Sequence, residues 1–216
     1  MVAKTAAVAG LLVALFVYVQ LSANAQLFMG GALINAGYRF QDMYREAHDQ
    51  TPQEIWDELD AHNELAAKVR GHLPRPQLHP VVAMLVCMDA RIDTSELAGD
   101  ARRNYYVVRT AGSVMSPEEE DMLELAVTKG VKVIVITRHT DCAAERVAAD
   151  PVERQRFPAL AAAVAERDAR LREFLARPQI AGRIARGELL VKQQLIETET
   201  DHLTDAQASF AASAGL

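Results

Sequence analysis

Two short β-branched runs constrain this chain more than any other feature: Val81-Val82-Ala83-Met84-Leu85-Val86 and Val131-Lys132-Val133-Ile134-Val135-Ile136-Thr137. Pro80 leads into the first and Gly130 into the second, and each run has the length and composition of a buried strand. Between them lies a helix. Ser116 takes the N-cap position, Pro117 the first helical position and Glu119 the reciprocal position of a capping box, while Gly130 closes the element. The acidic run Glu118-Glu119-Glu120-Asp121 suits a helix N-terminus, or simply a solvated turn. A strand–helix–strand unit with the usual right-handed crossover makes the two strands parallel neighbours. Their carboxyl ends then lie side by side, where open α/β sheets place ligands. The expected fold class is α/β, a mostly parallel central sheet flanked by helices, with an N-terminal hydrophobic segment and a helical arm ahead of it.

Chemistry-bearing residues follow both strands. The first runs into Cys87-Met88-Asp89-Ala90-Arg91 and the second into His139-Thr140-Asp141-Cys142. The chain has two cysteines, and both fall in this pattern. Two thiolates and one imidazole supply three points of a tetrahedral zinc site and leave the fourth for water or a carboxylate, which separates a catalytic zinc from a structural one. Free cysteines are often merely buried, but spacing with His139 and an Asp–Arg pair favours a metal. The absence of a Cys-x-x-Cys pair disfavours redox chemistry. Asp141 is either a neighbour of the site or a solvated loop carboxylate. His48, His62, His72, His79 and His202 lack ligand spacing and read as surface or packing residues; Trp56 reads as core.

Cys-x-Asp-x-Arg followed by His-x-x-Cys resembles the zinc signature of the β-class carbonic anhydrases. Val107-Val108-Arg109-Thr110-Ala111-Gly112-Ser113-Val114 is similar to that family's Arg-Asn-Ala-Gly segment, and the likeness is good from about Val81 to Cys142. Thr110 stands where the family usually has Asn, and Ala143 where it usually has Gly. The resemblance implies one zinc ion per chain on Cys87, His139 and Cys142, with zinc lowering the pKa of a bound water so that hydroxide attacks CO2 and bicarbonate leaves. It implies catalytic roles for Asp89 and Arg91. When the two pair, the fourth metal position is open; when they part, Asp89 becomes the fourth ligand. It also implies substrate contacts at Thr110, Ala111 and Gly112, and a homodimer or larger, with the arm from Gln26 to Arg70 swapped onto the partner. Some relatives hydrolyse carbonyl sulfide or carbon disulfide, linear like CO2, and this remains an alternative at the same site. So does a zinc-bearing subunit of a larger membrane assembly.

Residues 1–25 read as a signal peptide or membrane anchor. Ala6 to Val19 is apolar behind Lys4, and Ala23-Asn24-Ala25 offers a small-x-small cleavage site. An uncleaved spanning helix of about 20 residues through residues 6–28 is the other reading. Either places the enzyme in a periplasm or comparable extracytoplasmic compartment. Residues 26–50 read as a linker or arm, 51–207 as the catalytic domain and 208–216 as a tail. Within the domain, Thr51-Pro52-Gln53-Glu54 and Asp150-Pro151-Val152-Glu153 start further helices, and Pro158 interrupts the second. Pro74, Pro76 and Pro80 favour an extended segment. Ala159 to Ala176 and Ile180 to Arg186 read as helices, and Leu189 to Ile196 as a late strand at a sheet edge. A net charge of −6 disfavours nucleic acid as a partner.

Overall fold

In chain order, the computed structural model has α1 (Val2–Leu21), α2 (Ala23–Gln41), α3 (Pro52–Gly71), β1 (Val82–Cys87), α4 (Thr94–Ala98), β2 (Tyr105–Thr110) and a 3-10 turn at Ala111–Ser113. Then follow α5 (Pro117–Thr128), β3 (Val133–His139), α6 (Ala143–Ala149), α7 (Pro151–Arg156), α8 (Pro158–Ala176), α9 (Pro178–Ala185), β4 (Leu190–Glu197) and β5 (His202–Asp205). Residues 2–41, 50–72, 80–98 and 105–206 are described. The expected tail at 208–216, the prolines at 74 and 76, and His48 and His79 lie outside them. The chain divides into two units, Met1–Arg75 and Pro76–Leu216. The first unit holds α1 to α3 and the second holds the sheet.

In the second unit the strands form one five-stranded sheet in the order β2-β1-β3-β4-β5. β1 is parallel to β2 and β3, β3 is parallel to β4, and β5 closes antiparallel against β4. Residues 83–87 are all buried, as expected for a strand covered on both faces. Side chains alternate across a strand. Ala83 and Leu85 join a core with Leu123, Val127, Ile134, Phe174 and Ile180, whereas Met84 and Val86 join a second with Ile92, Ala144 and Ile196. Each fully buried Leu, Ile or Phe contributes about 1.5–3 kcal/mol.

The caps form where the sequence places them. Glu119 accepts from the Ser116 N–H at 2.7 Å, Glu54 from the Thr51 N–H at 2.7 Å, and Asp150 from the N–H groups of Val152 and Glu153 at 2.7 and 3.0 Å. Gly130, at φ 117, ends α5 in a conformation that favours glycine. The acidic start of α5 does more than suit a helix end. Arg177, at the N-cap of α9, donates to Glu120, Asp121 and Glu124 at 2.9, 2.7 and 2.9 Å.

Several expectations are corrected. β4 is not at the edge, because β5, four residues long and polar, pairs beside it; so short a strand carries no periodic signal. β2 forms the opposite edge, a strand legible in sequence only as a motif. The helical arm begins at Ala23, ahead of the expected start at residue 26, and its first helix runs to Gln41. The single helix through 6–28 breaks at Ser22, whose Oγ accepts from the Ala25 N–H at 3.3 Å and so caps α2. Among the described residues no single helix is long and apolar enough to cross a membrane; Val8–Tyr18 and Ala23–Ile34 pass that test only together, bent by 100°. Trp56 is 57% exposed and so is not the core residue expected, and Leu59 and Val69 of α3 are exposed as well. His72 and His202 are exposed and His62 half-buried, as read.

Candidate metal centre

Parallel pairing sets the site. Cys87 is the last residue of β1 and His139 the last of β3, and Cys142 follows at the N-cap of α6. The ligand atoms of Cys87, His139 and Cys142 lie within 4.8 Å of one another, and all three residues are buried. His139 is oriented from behind. Its Nδ1–H donates to the Thr140 carbonyl at 2.9 Å, with Thr198 Oγ1 at 3.3 Å. Thr198 is itself pinned, donating from Oγ1 to the same carbonyl at 2.6 Å and from its N–H to Thr140 Oγ1 at 3.0 Å. A proton on Nδ1 leaves the lone pair on Nε2. That Nε2 is buried with no hydrogen-bond partner. A buried orphan of this kind costs free energy unless something takes the lone pair, and a cation held with the two sulfurs satisfies it. The donor set therefore fits a metal ion.

The sulfurs are prepared for charge. Cys87 is held down to about 4, above all by the Cys142 thiol bonding to it; burial opposes this, and His139 and the N–H groups of Asp89 and Gly112 add to it. The same bond, with burial, pushes Cys142 up, against N–H donation from Glu145 and Ala144. Thiolates are the form that binds a metal, so loading the site releases the protons that the sulfurs carry. Burial works against charge on His139, but the Cys87 sulfur outweighs it and raises the imidazole pKa.

Asp89 and Arg91 meet as a fork. Arg91 Nε and Nη2 donate to Asp89 Oδ1 and Oδ2 at 3.0 and 2.8 Å, and the Arg91 N–H donates to Oδ1 at 3.0 Å. These bonds hold the Asp89 carboxyl well below the usual range. Asp89 therefore sits on the guanidinium and outside the ligand cluster. Asp141, left open by sequence, lies beside the site: with φ 58, it accepts from Arg91 Nη1 at 3.2 Å and pairs with Arg146. Sequence reasoning gave Arg109 no role beyond its motif. Its Nη2 donates to the carbonyls of Asp89 and Ile92 at 2.8 and 2.7 Å, and its Nε to that of Cys87 at 3.4 Å, lacing the loop after β1 to β2.

A cavity of about 200 Å³ opens on Cys87 and Asp89, walled by Met88, Ala143, Val147 and Leu160. Of the three expected substrate contacts, Ala111 and Gly112 line it and Thr110 does not. Thr110 pairs in register with Cys87, and its Oγ1 is buried without a partner. Gly112 is needed for its backbone: φ is 64, and an added Cβ would lie 3.2 Å from both Ala144 Cβ and Val164 Cγ2.

A family model for carbonic anhydrases matches residues 82–212. The β-carbonic anhydrase 1 of Mycobacterium tuberculosis is 32% identical over 92 residues, 41% of this chain and 55% of that protein; the chain thus spans about half the length of the curated relatives it matches. Among solved structures, a carbonic anhydrase from Streptococcus mutans superposes with a TM-score of 0.52 at 20% identity, over 69% of this chain and 96% of that one. A β-carbonic anhydrase from Trichomonas vaginalis gives 0.53 at 18% identity, over 72% and 97%. These likenesses establish the fold.

Gly112→Ala is expected to lower stability by about 1–2 kcal/mol from the left-handed backbone alone, and further through the contacts with Ala144 and Val164. Urea unfolding of the metal-free protein measures this; an unchanged midpoint contradicts it.

Proposed function

Because the chain belongs to the β-class carbonic anhydrase family, we propose that it binds one zinc ion on Cys87, His139 and Cys142 and interconverts CO2 and bicarbonate. The observation that carries this reading is the buried Cys–His–Cys cluster, with its unpartnered Nε2, opening on an apolar cavity. When bound, zinc makes water a nucleophile near neutral pH. The chain's own residues do the rest. Met88, Ala143, Val147 and Leu160 offer a small uncharged substrate an apolar wall. Asp89, held ionised by Arg91, would accept a hydrogen bond from the reacting water and orient it toward the carbon. Were it to part from Arg91, that carboxylate would be free to serve as a fourth ligand. Ala111 and Gly112 complete the lining, and Thr110 precedes them in register with Cys87.

We further propose a homodimer formed across β2, with the arm from Gln26 to Arg70 laid on the partner. A free sheet edge and an exposed apolar surface invite cover. Tyr106, Met122 and Leu125 are exposed there and line a groove of about 570 Å³ between β2 and α5, while the arm exposes Trp56, Leu59 and Val69. An extracytoplasmic location is also proposed. It is supported by the apolar first helix, on which Leu11, Leu12, Phe16 and Tyr18 are all exposed.

Stopped-flow CO2 hydration on metal-quantified protein tests the activity. The expectation is one zinc per chain and a rate that Asp89→Asn reduces by about 10²-fold or more. Protein that binds no zinc overturns the metal reading, and zinc-loaded protein that turns over only carbonyl sulfide or carbon disulfide replaces the substrate. Sedimentation should give twice the 23.7 kDa chain mass, falling to one chain in Met122→Glu/Leu125→Glu; a monomeric wild type sinks the dimer. In spheroplasts, external protease should digest residues 76–216, and full protection would place the enzyme inside.

A further inference from the structure

Two elements adjoin the metal centre. Gly112, in the turn after β2, lines the same cavity as Cys87, and Glu145 lies in the first turn of α6, whose N-cap is Cys142. Gly112 and Glu145 are far apart in sequence, and one side chain joins them. Arg167 rises from α8, its side chain 10% exposed. From a single nitrogen, Nη1, it donates to the Gly112 carbonyl at 2.9 Å and to Glu145 Oε1 at 2.7 Å. The same carboxylate oxygen receives Arg138 Nε at 2.9 Å, from the residue before His139. Gly112 needs such a hold, because its left-handed backbone is set in a turn with no covalent tie to α6.

We propose that Arg167 is a positioning residue that spans Gly112 and Glu145 and thereby holds in place the backbone beside both metal-site sulfurs. The proposal rests on the metal-centre reading above. Hydrogen bonds to a thiolate lower the energy of its lone pairs and fix its direction, and the groups that orient ligands commonly alter metal affinity by about 10–100-fold. A guanidinium suits the task because it bonds a carbonyl and a carboxylate at once in fixed geometry. Arg167 touches neither the cavity described above nor Asp89.

The test uses the full chain loaded with Co2+ as a spectroscopic probe of thiolate ligation, and with zinc against a competing chelator. Wild type, Arg167→Met, Glu145→Gln and, as a control on the same helix, Arg170→Met are compared, with circular dichroism and apo-protein unfolding confirming the fold. In Arg167→Met the sulfur-to-cobalt charge-transfer band should move to longer wavelength and zinc affinity should fall by about 10-fold or more. Glu145→Gln should give a smaller shift in the same direction, and Arg170→Met none. The band decides, because a merely structural loss of stability lowers affinity without moving it. An unshifted band in Arg167→Met, whatever the affinity, overturns the proposal. If Arg167→Met does not fold, an unshifted band in Glu145→Gln overturns it equally. A wild type that binds neither ion defeats the metal-centre reading itself, an outcome distinct from a wild type that binds and a variant that matches it.

Discussion

Backbone pairing between β1 and β3 is the constraint on which the site depends. Val82 opposes Val133 and Leu85 opposes Ile136, and the parallel direction carries both strands to the same end of the sheet. Cys87 and His139 meet there, each the final residue of its strand. A slip of one residue would turn every side chain of β1 to the opposite face, exchanging Leu85 for Met84 between the two cores and moving the Cys87 sulfur away. Register is protected by burial on both faces, since any slip would cost contacts in two cores at once. Thr137 adds a polar pin within the sheet, donating to the Leu85 carbonyl at 2.9 Å.

Arginines build outward from that pairing. Arg91 forks onto Asp89 and reaches Asp141, Arg109 laces the loop after β1 to β2, and Arg138 and Arg167 converge on Glu145 beside Cys142. Isolated surface ion pairs contribute little to stability. These pairs act differently, each fixing a loop or turn whose backbone or carboxylate faces the cluster. The sheet delivers the ligands to one place, and the arginines set the orientation of what surrounds them.

The N-terminal unit obeys other rules. Its helices expose Leu11, Phe16, Leu27 and Phe28, and α3 exposes Trp56, Leu65 and Val69. Large exposed apolar patches commonly mark interaction surfaces. Reading Trp56 as core failed because helical spacing shows that a residue is apolar and periodic without showing whether its face is buried.

The sequence by itself determined the α/β class, the neighbouring parallel strands, the helix caps at Thr51, Ser116 and Asp150, and the set Cys87, Asp89, Arg91, His139 and Cys142. Each follows from short-range chemistry: strand composition, capping geometry and the spacing of donors against a crossover whose handedness is fixed. Tertiary structure alone decided that β5 covers β4, that helix breaks at Ser22, that Thr110 stays out of the cavity lining and that Asp141 joins Arg91. It alone placed Arg109 on the loop after β1 and brought Arg167 to Gly112 and Glu145. An arginine on a helix reads as a surface charge until packing sets its partners, because its reach is long and the carbonyls it grips carry no side-chain signature.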